Sequence, residues 1–130
     1  MTLFTLEEAE ALIPQVREEM LAMQALKREI DGLRVDLSQV ASRAVGNGHV
    51  TDEEGVGEKR RRAESLVEQL NERLARVNVW GVELKGIDEG LADFPSDREG
   101  RIVYLCWRLG EDRIAWWHEV DTGFAGRQPL

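Results

Sequence analysis

The sequence predicts an α+β protein, a long antiparallel helical hairpin followed by a small antiparallel β-sheet. Three observations lead there. Apolar residues recur every seven positions from Val16 to Ala44, a glycine-rich stretch then breaks the pattern, and after Trp80 the apolar period falls to two. At 130 residues the chain is expected to be a single domain, 1–130, with the hairpin at about 5–80 and the β-rich part at about 81–130.

The first helix opens at Thr5-Leu6-Glu7-Glu8, a capping box in which the threonine hydroxyl and the glutamate satisfy each other's backbone amides. Pro14 removes a donor two turns later and predicts a kink or a fresh helix start. Beyond it, Val16, Met23, Ile30, Leu37 and Ala44 form one heptad row and Leu26, Leu33 and Val40 the other. Glu19 interrupts the second row, and Met20 stands beside it. Gly46-Asn47-Gly48 supplies residues that tolerate a helix terminus, and 45–57 reads as a loop. A second helix is predicted from about Glu58 to Trp80, with Ala63, Val67, Leu70, Leu74 and Val77 as its seam. Its opening run, Lys59-Arg-Arg-Arg62, is expected to pair with carboxylates of the first helix.

Ile102–Leu109 and Arg113–Val120 read as a β-hairpin about Gly110-Glu111. A two-residue turn pairs Trp107 with Ile114, Leu105 with Trp116 and Val103 with His118, and a four-residue turn keeps the same faces. Gly90–Phe94 is the candidate third strand, with Pro95–Gly100 as its connection.

A formal charge of −8 argues against non-specific binding to nucleic acid or an anionic membrane, both of which need cationic surface. No apolar run approaches the ~20 residues of a membrane span. The opening MTLFTLEEAE has no basic-then-apolar leader pattern, and the lone Cys106 cannot form an internal disulfide, so a cytoplasmic location is expected.

Three segments, FTLEEAEALIP, GVELKGIDEGLADFP and VYLCWRLGEDRIAWWHEVDTGFAGRQP, together resemble a bacterial family catalogued as domain of unknown function 2203. The resemblance covers most of the chain and is most specific in the C-terminal third. It implies a small bacterial cytosolic protein with a helical N-terminal and a compact C-terminal part, and it transfers no residue role.

The segment Ala115–Pro129, AWWHEVDTGFAGRQP, holds the candidate chemistry. A metal reading uses His118 with Glu119 and Asp121, helped by Asp93 or Cys106, but strand alternation puts His118 and Glu119 on opposite faces. An anion-pocket reading wraps Gly123–Arg127 around a carboxylate or phosphate, with a tryptophan wall and His118 as proton donor or acceptor. A packing reading makes the tryptophans cover for the hairpin and Arg127 a tie to Asp121 or Asp93. A reactive thiolate at Cys106 is disfavoured, because no histidine falls clearly on its predicted face.

A ligand site, if present, is therefore expected at His118 and Arg127, with Trp116 as aromatic wall and Asp93 or Asp121 as carboxylate. No catalytic residue, metal-ligand set or cofactor is assigned. The functional expectation is a non-catalytic interaction or scaffold protein, a homodimer covering its exposed seam. The alternative is a small-molecule or anion-binding protein, or a small enzyme with or without a metal, its site at the C-terminal segment. Its partners would then be a small anionic ligand or another protein, not nucleic acid or membrane.

Overall fold

The computed structural model describes residues 1–47 and 55–130. Helices α1 (Leu6–Asn47) and α2 (Val56–Val79) precede five strands, β1 (Glu83–Gly86), β2 (Leu91–Arg98), β3 (Arg101–Arg108), β4 (Trp116–Glu119) and β5 (Gln128–Pro129). The strands form one antiparallel meander in chain order. Two helices and an antiparallel sheet make the protein α+β, as the change of period predicts. The chain divides into two compact units, Met1–Ala22 with Arg73–Leu130, and Met23–Glu72. No helix among the described residues is long and apolar enough to cross a membrane.

The predicted cap is present. Glu8 donates its amide to Thr5 Oγ1 at 3.1 Å, and Thr5 donates its own to Glu8 Oε1 at 2.9 Å. Pro14 does not restart the helix, which runs unbroken from Leu6. An interior proline costs about 3 kcal/mol, whereas burying its neighbours Ile13 and Val16 returns about 1.5–3 kcal/mol each. Glu19 and Met20 are both buried in the seam. Glu19 is tolerated there because Arg76 donates to one of its carboxylate oxygens at 2.6 Å and Arg73 to the other at 3.0 Å.

In the second unit Lys59 meets Asp36 and Arg62 meets Glu29. As α2 advances its partners step back along α1, which is the antiparallel arrangement predicted. The basic run is thus partly spent on helix-helix pairing. On α2, Leu66 is more deeply buried than the predicted seam residues around it, Ala63, Val67 and Leu70. Residues 48–54, including Gly48 and His49, and the side chain of Ala44 lie outside the described residues.

Two strand expectations need correction. β2 does not end at Phe94 but continues to Arg98, and its turn to β3 is just Glu99-Gly100. Both turn residues have positive φ, 54° and 82°, the mirror-image turn that matches strand twist. Pro95 fits because β1 ends opposite Asp93, so beyond that point β2 has no strand on that side. There the Phe4 amide donates to the Pro95 carbonyl at 2.7 Å.

The second correction is the β3–β4 register. Val103 faces Glu119, Tyr104 faces His118, Leu105 faces Trp117 and Cys106 faces Trp116, one residue away from the expected pairing. The cause lies in residues 109–115, which form an irregular connection in place of an even-numbered turn. Trp107 Nε1 donates to the Glu111 carbonyl at 2.9 Å, and the Glu111 amide donates to the Arg108 carbonyl at 3.0 Å. Because side chains alternate along a strand, a slip of one exchanges every face. Ala92, Phe94, Val103, Leu105, Trp107 and Trp117 form the core face, with Phe4 edge-on to Phe94. His118 moves to the outer face.

Candidate functional site

On that outer face, directly opposed residues form two rows. Glu83, Asp93, Cys106 and Trp116 make one across four strands, and Tyr104 and His118 belong to the next. Asp93, Cys106 and His118 are each at most 2% exposed. One donor atom from each lies within 4.8 Å of the others.

The His118 ring is held at both nitrogens. Nδ1 lies 2.7 Å from the Glu119 carbonyl, and Nε2 lies 3.0 Å from both carboxylate oxygens of Asp93. A carbonyl only accepts, so Nδ1 carries a proton, and a second proton is shared between Nε2 and Asp93. Burial raises the Asp93 pKa, and the imidazole and the Cys106 thiol only partly offset this. Burial also pushes the Cys106 thiol up to about 11, despite Arg127 beside it. The cysteine is therefore a thiol, not a nucleophilic thiolate.

Arg127 closes one side of the cluster. Its Nε donates to Cys106 Sγ at 3.3 Å, and Nη2 donates to the Cys106 carbonyl. Both terminal nitrogens donate to the Glu111 carboxylate, at 3.0 and 2.8 Å, a bidentate pairing that fixes the guanidinium plane. Phe124 and Trp116 flank that plane, with centroids at 4.6 and 5.5 Å. On the other side Tyr104 donates to Glu83, and Lys85 bonds the same carboxylate at 3.0 Å while lying 4.7 Å from the Tyr104 ring centre. Burial, then the Glu83 carboxylate, raises the Tyr104 hydroxyl.

A cavity of about 270 Å³ opens over the cluster, lined by Asp93, Cys106 and His118 with Lys85, Leu91, Tyr104, Val120, Gly123 and Phe124. Two larger hollows, of about 380 and 410 Å³, involve the N-terminal residues and bring no imidazole, thiol and carboxylate together.

Of the residues expected from sequence, His118 and Asp93 meet. Arg127 arrives beside Cys106, but its carboxylate is Glu111, not Asp93 or Asp121. Trp116 packs against Arg127, and the aromatic residues at the cavity are Tyr104 and Phe124 instead. Asp121 is exposed in the turn after β4 and does not line the cavity. Glu119 contributes only its carbonyl, since its side chain pairs with Arg101. Sequence reasoning named Cys106 only as a helper ligand in the metal reading, and missed Tyr104, Lys85, Glu83 and Glu111. Alternation in β3, polar Tyr104 and Cys106 against apolar Val103, Leu105 and Trp107, was the available signal. Matching that polar set to His118 instead of Trp117 would have assembled the cluster. Glu111 and Lys85 sit in a loop and at a strand irregularity, where no period applies.

Residues 2–130 match the family described as "Uncharacterized conserved protein (DUF2203)". The chain belongs to this family. The match spans both helices and all five strands, so every residue of the cluster lies within the DUF2203 region. No curated protein and no solved structure matches the chain.

Proposed function

We propose that this protein binds a small ligand in the cavity on the outer face of its sheet. The observation that supports the reading is that three deeply buried titratable groups converge at the lining of one cavity. Burying such groups is costly, and a cavity with convergent polar groups is the usual form of a binding site.

The lining suggests the ligand's chemistry. Asp93 and His118 share their proton and are neutral as a pair, and the cation of the lining is Lys85, which already bonds Glu83 and can turn its remaining N–H groups toward the cavity. Leu91, Val120 and Phe124 offer an apolar side. A compact molecule with one anionic group and a small apolar part fits this set. At about 270 Å³ the cavity lies just under the ~300 Å³ lower end for drug-sized ligands, so the ligand is smaller than those. Native mass spectrometry of protein purified without denaturation tests for a retained molecule. NMR titration with acetate, benzoate and phosphate then tests the chemistry, and Lys85→Ala should weaken binding of the anions about tenfold or more. An unliganded mass together with no shift at Tyr104 or Phe124 for any probe would sink the proposal.

A second reading, a homodimeric interaction protein, rests on Leu21, Val35 and Val79, each more than half exposed. Light scattering at micromolar concentration checks it, and a monomer mass there removes it. A free, buried thiol suits a reducing cytoplasm in either case.

A further inference from the structure

We propose that Asp93, Cys106 and His118 form a binding site for a thiophilic divalent cation, Zn²⁺ by ligand type, with one coordination position facing the cavity. This deepens the small-ligand reading, because the open position faces the same cavity.

The donor set comes first. A carboxylate, a thiol and an imidazole converge on the outer face from β2, β3 and β4, each strand holding its donor in register. Thiolate and imidazole together favour zinc and its first-row neighbours over magnesium or calcium, which prefer all-oxygen shells. Donor atoms around one tetrahedral zinc, with bonds of ~2.0–2.3 Å, stand about 3.5 Å apart. The three here fall within 4.8 Å, so an ion needs to draw them together by only about 1 Å.

The surroundings of the donors provide independent support. Metal-bound histidines characteristically donate their other ring N–H to a carbonyl or carboxylate, which fixes ring orientation and tautomer. His118 has this arrangement, with Nδ1 on the Glu119 carbonyl and Nε2 turned toward Asp93. Cys106 Sγ receives an N–H bond from Arg127, whose guanidinium is anchored by Glu111. Such a donor stabilises a thiolate once an ion displaces the thiol proton. All three ligands also line the cavity, and three protein ligands with an accessible fourth position is the pattern of reactive rather than purely structural zinc sites. With Asp93 and Cys106 both anionic, a divalent ion leaves the centre neutral. Lys85 then favours an anionic molecule at the fourth position.

Cobalt titration of the full-length, reduced, chelator-treated protein tests this. Cys106 is the sole cysteine, so a thiolate-to-cobalt charge-transfer band within one chain can arise only there. One Co²⁺ per chain with that band, erased on adding Zn²⁺, is the expected result. Cys106→Ser should abolish the band, and Asp93→Asn and His118→Gln should each weaken binding at least tenfold. If either of the last two fails to fold, ring-nitrogen NMR of the wild type decides: Zn²⁺ should shift Nε2 of His118 while Nδ1 keeps its proton. No band at saturating Co²⁺, a band that survives Cys106→Ser, or a free-Co²⁺ midpoint that moves with protein concentration would overturn the site. The two proposals fail separately. Anion binding by metal-free protein without cobalt binding removes only the ion site, and a cobalt band without any bound anion removes only the ligand reading.

Discussion

Glu19 on α1 and Asp93 on β2 are both buried carboxylates, 6% and 2% exposed, yet their environments act in opposite senses. At Glu19 burial works against the charge, but the guanidiniums of Arg76 and Arg73 overcome it and hold the carboxyl below its ordinary pKa. Those arginines keep much of their surface in water, with side chains 51% and 35% exposed, and only their ends reach in. At Asp93 burial wins, because the counter-charge, His118, is buried with it. A cation that stays hydrated while pairing makes a carboxylate a fixture of the fold. A cation buried alongside its partner adds a second desolvation cost, so such a pair is poor evidence for stability and better evidence for exchange of protons or ions.

The largest effect should come from stripping Glu19 of its cations. Arg73→Ala with Arg76→Ala leaves a buried, unpaired carboxylate and should cost on the order of 3 kcal/mol in urea unfolding. An unchanged midpoint would mean that water enters to solvate Glu19.

Asp93 should answer differently to removal of its whole pair. Asp93→Leu alone strands the imidazole and should cost a few kcal/mol, whereas Asp93→Leu with His118→Leu should regain most of that loss. A double variant as unstable as the sum of its singles would make this pair a structural fixture like the other.

Acid separates the two carboxylates by sign. Folded Glu19 holds its proton more weakly than the unfolded chain does. Its stabilisation is full above the ordinary value of 4.5 and is lost as pH falls through the lower folded value. Folded Asp93 holds its proton more tightly than its ordinary 3.8 implies, so its contribution is full below that value and fades as pH rises through the higher folded one. Glu19→Gln should flatten the loss of stability between about pH 5 and pH 3, and Asp93→Asn should steepen it. Slopes that change alike would erase the distinction.

The smallest effect concerns the thiol beside Asp93 and leaves the fold untouched. Alkylation of Cys106 should rise about tenfold per pH unit and level off only near pH 11. A plateau near neutral pH would show that Arg127 outweighs burial.

Much of the helical part was legible because its signals are local. Thr5 and Glu8 cap one turn, and the seven-residue repeat from Val16 onward needs only neighbours three and four residues away. Even the Glu19 interruption marked a real feature, although its arginine partners lie more than fifty positions along the chain. The β part was legible as strands but not as a register. A period of two shows that Val103, Leu105 and Trp107 share a face, yet it cannot say which face of β4 joins them.

The sequence by itself therefore determined two amphipathic helices, the first opened by a capping box, an antiparallel sheet after Trp80, and a C-terminal segment carrying His118 and Arg127. The tertiary structure decided that Trp117 and not Trp116 enters the core, and that Asp93, Cys106 and His118 meet over a cavity. The reason is physical. Helical order is set by contacts within a turn, whereas strand register depends on the length and bonding of a connection, here Glu111 holding the 109–115 loop and Arg127 together. One residue more or less in that loop exchanges the two faces of β4.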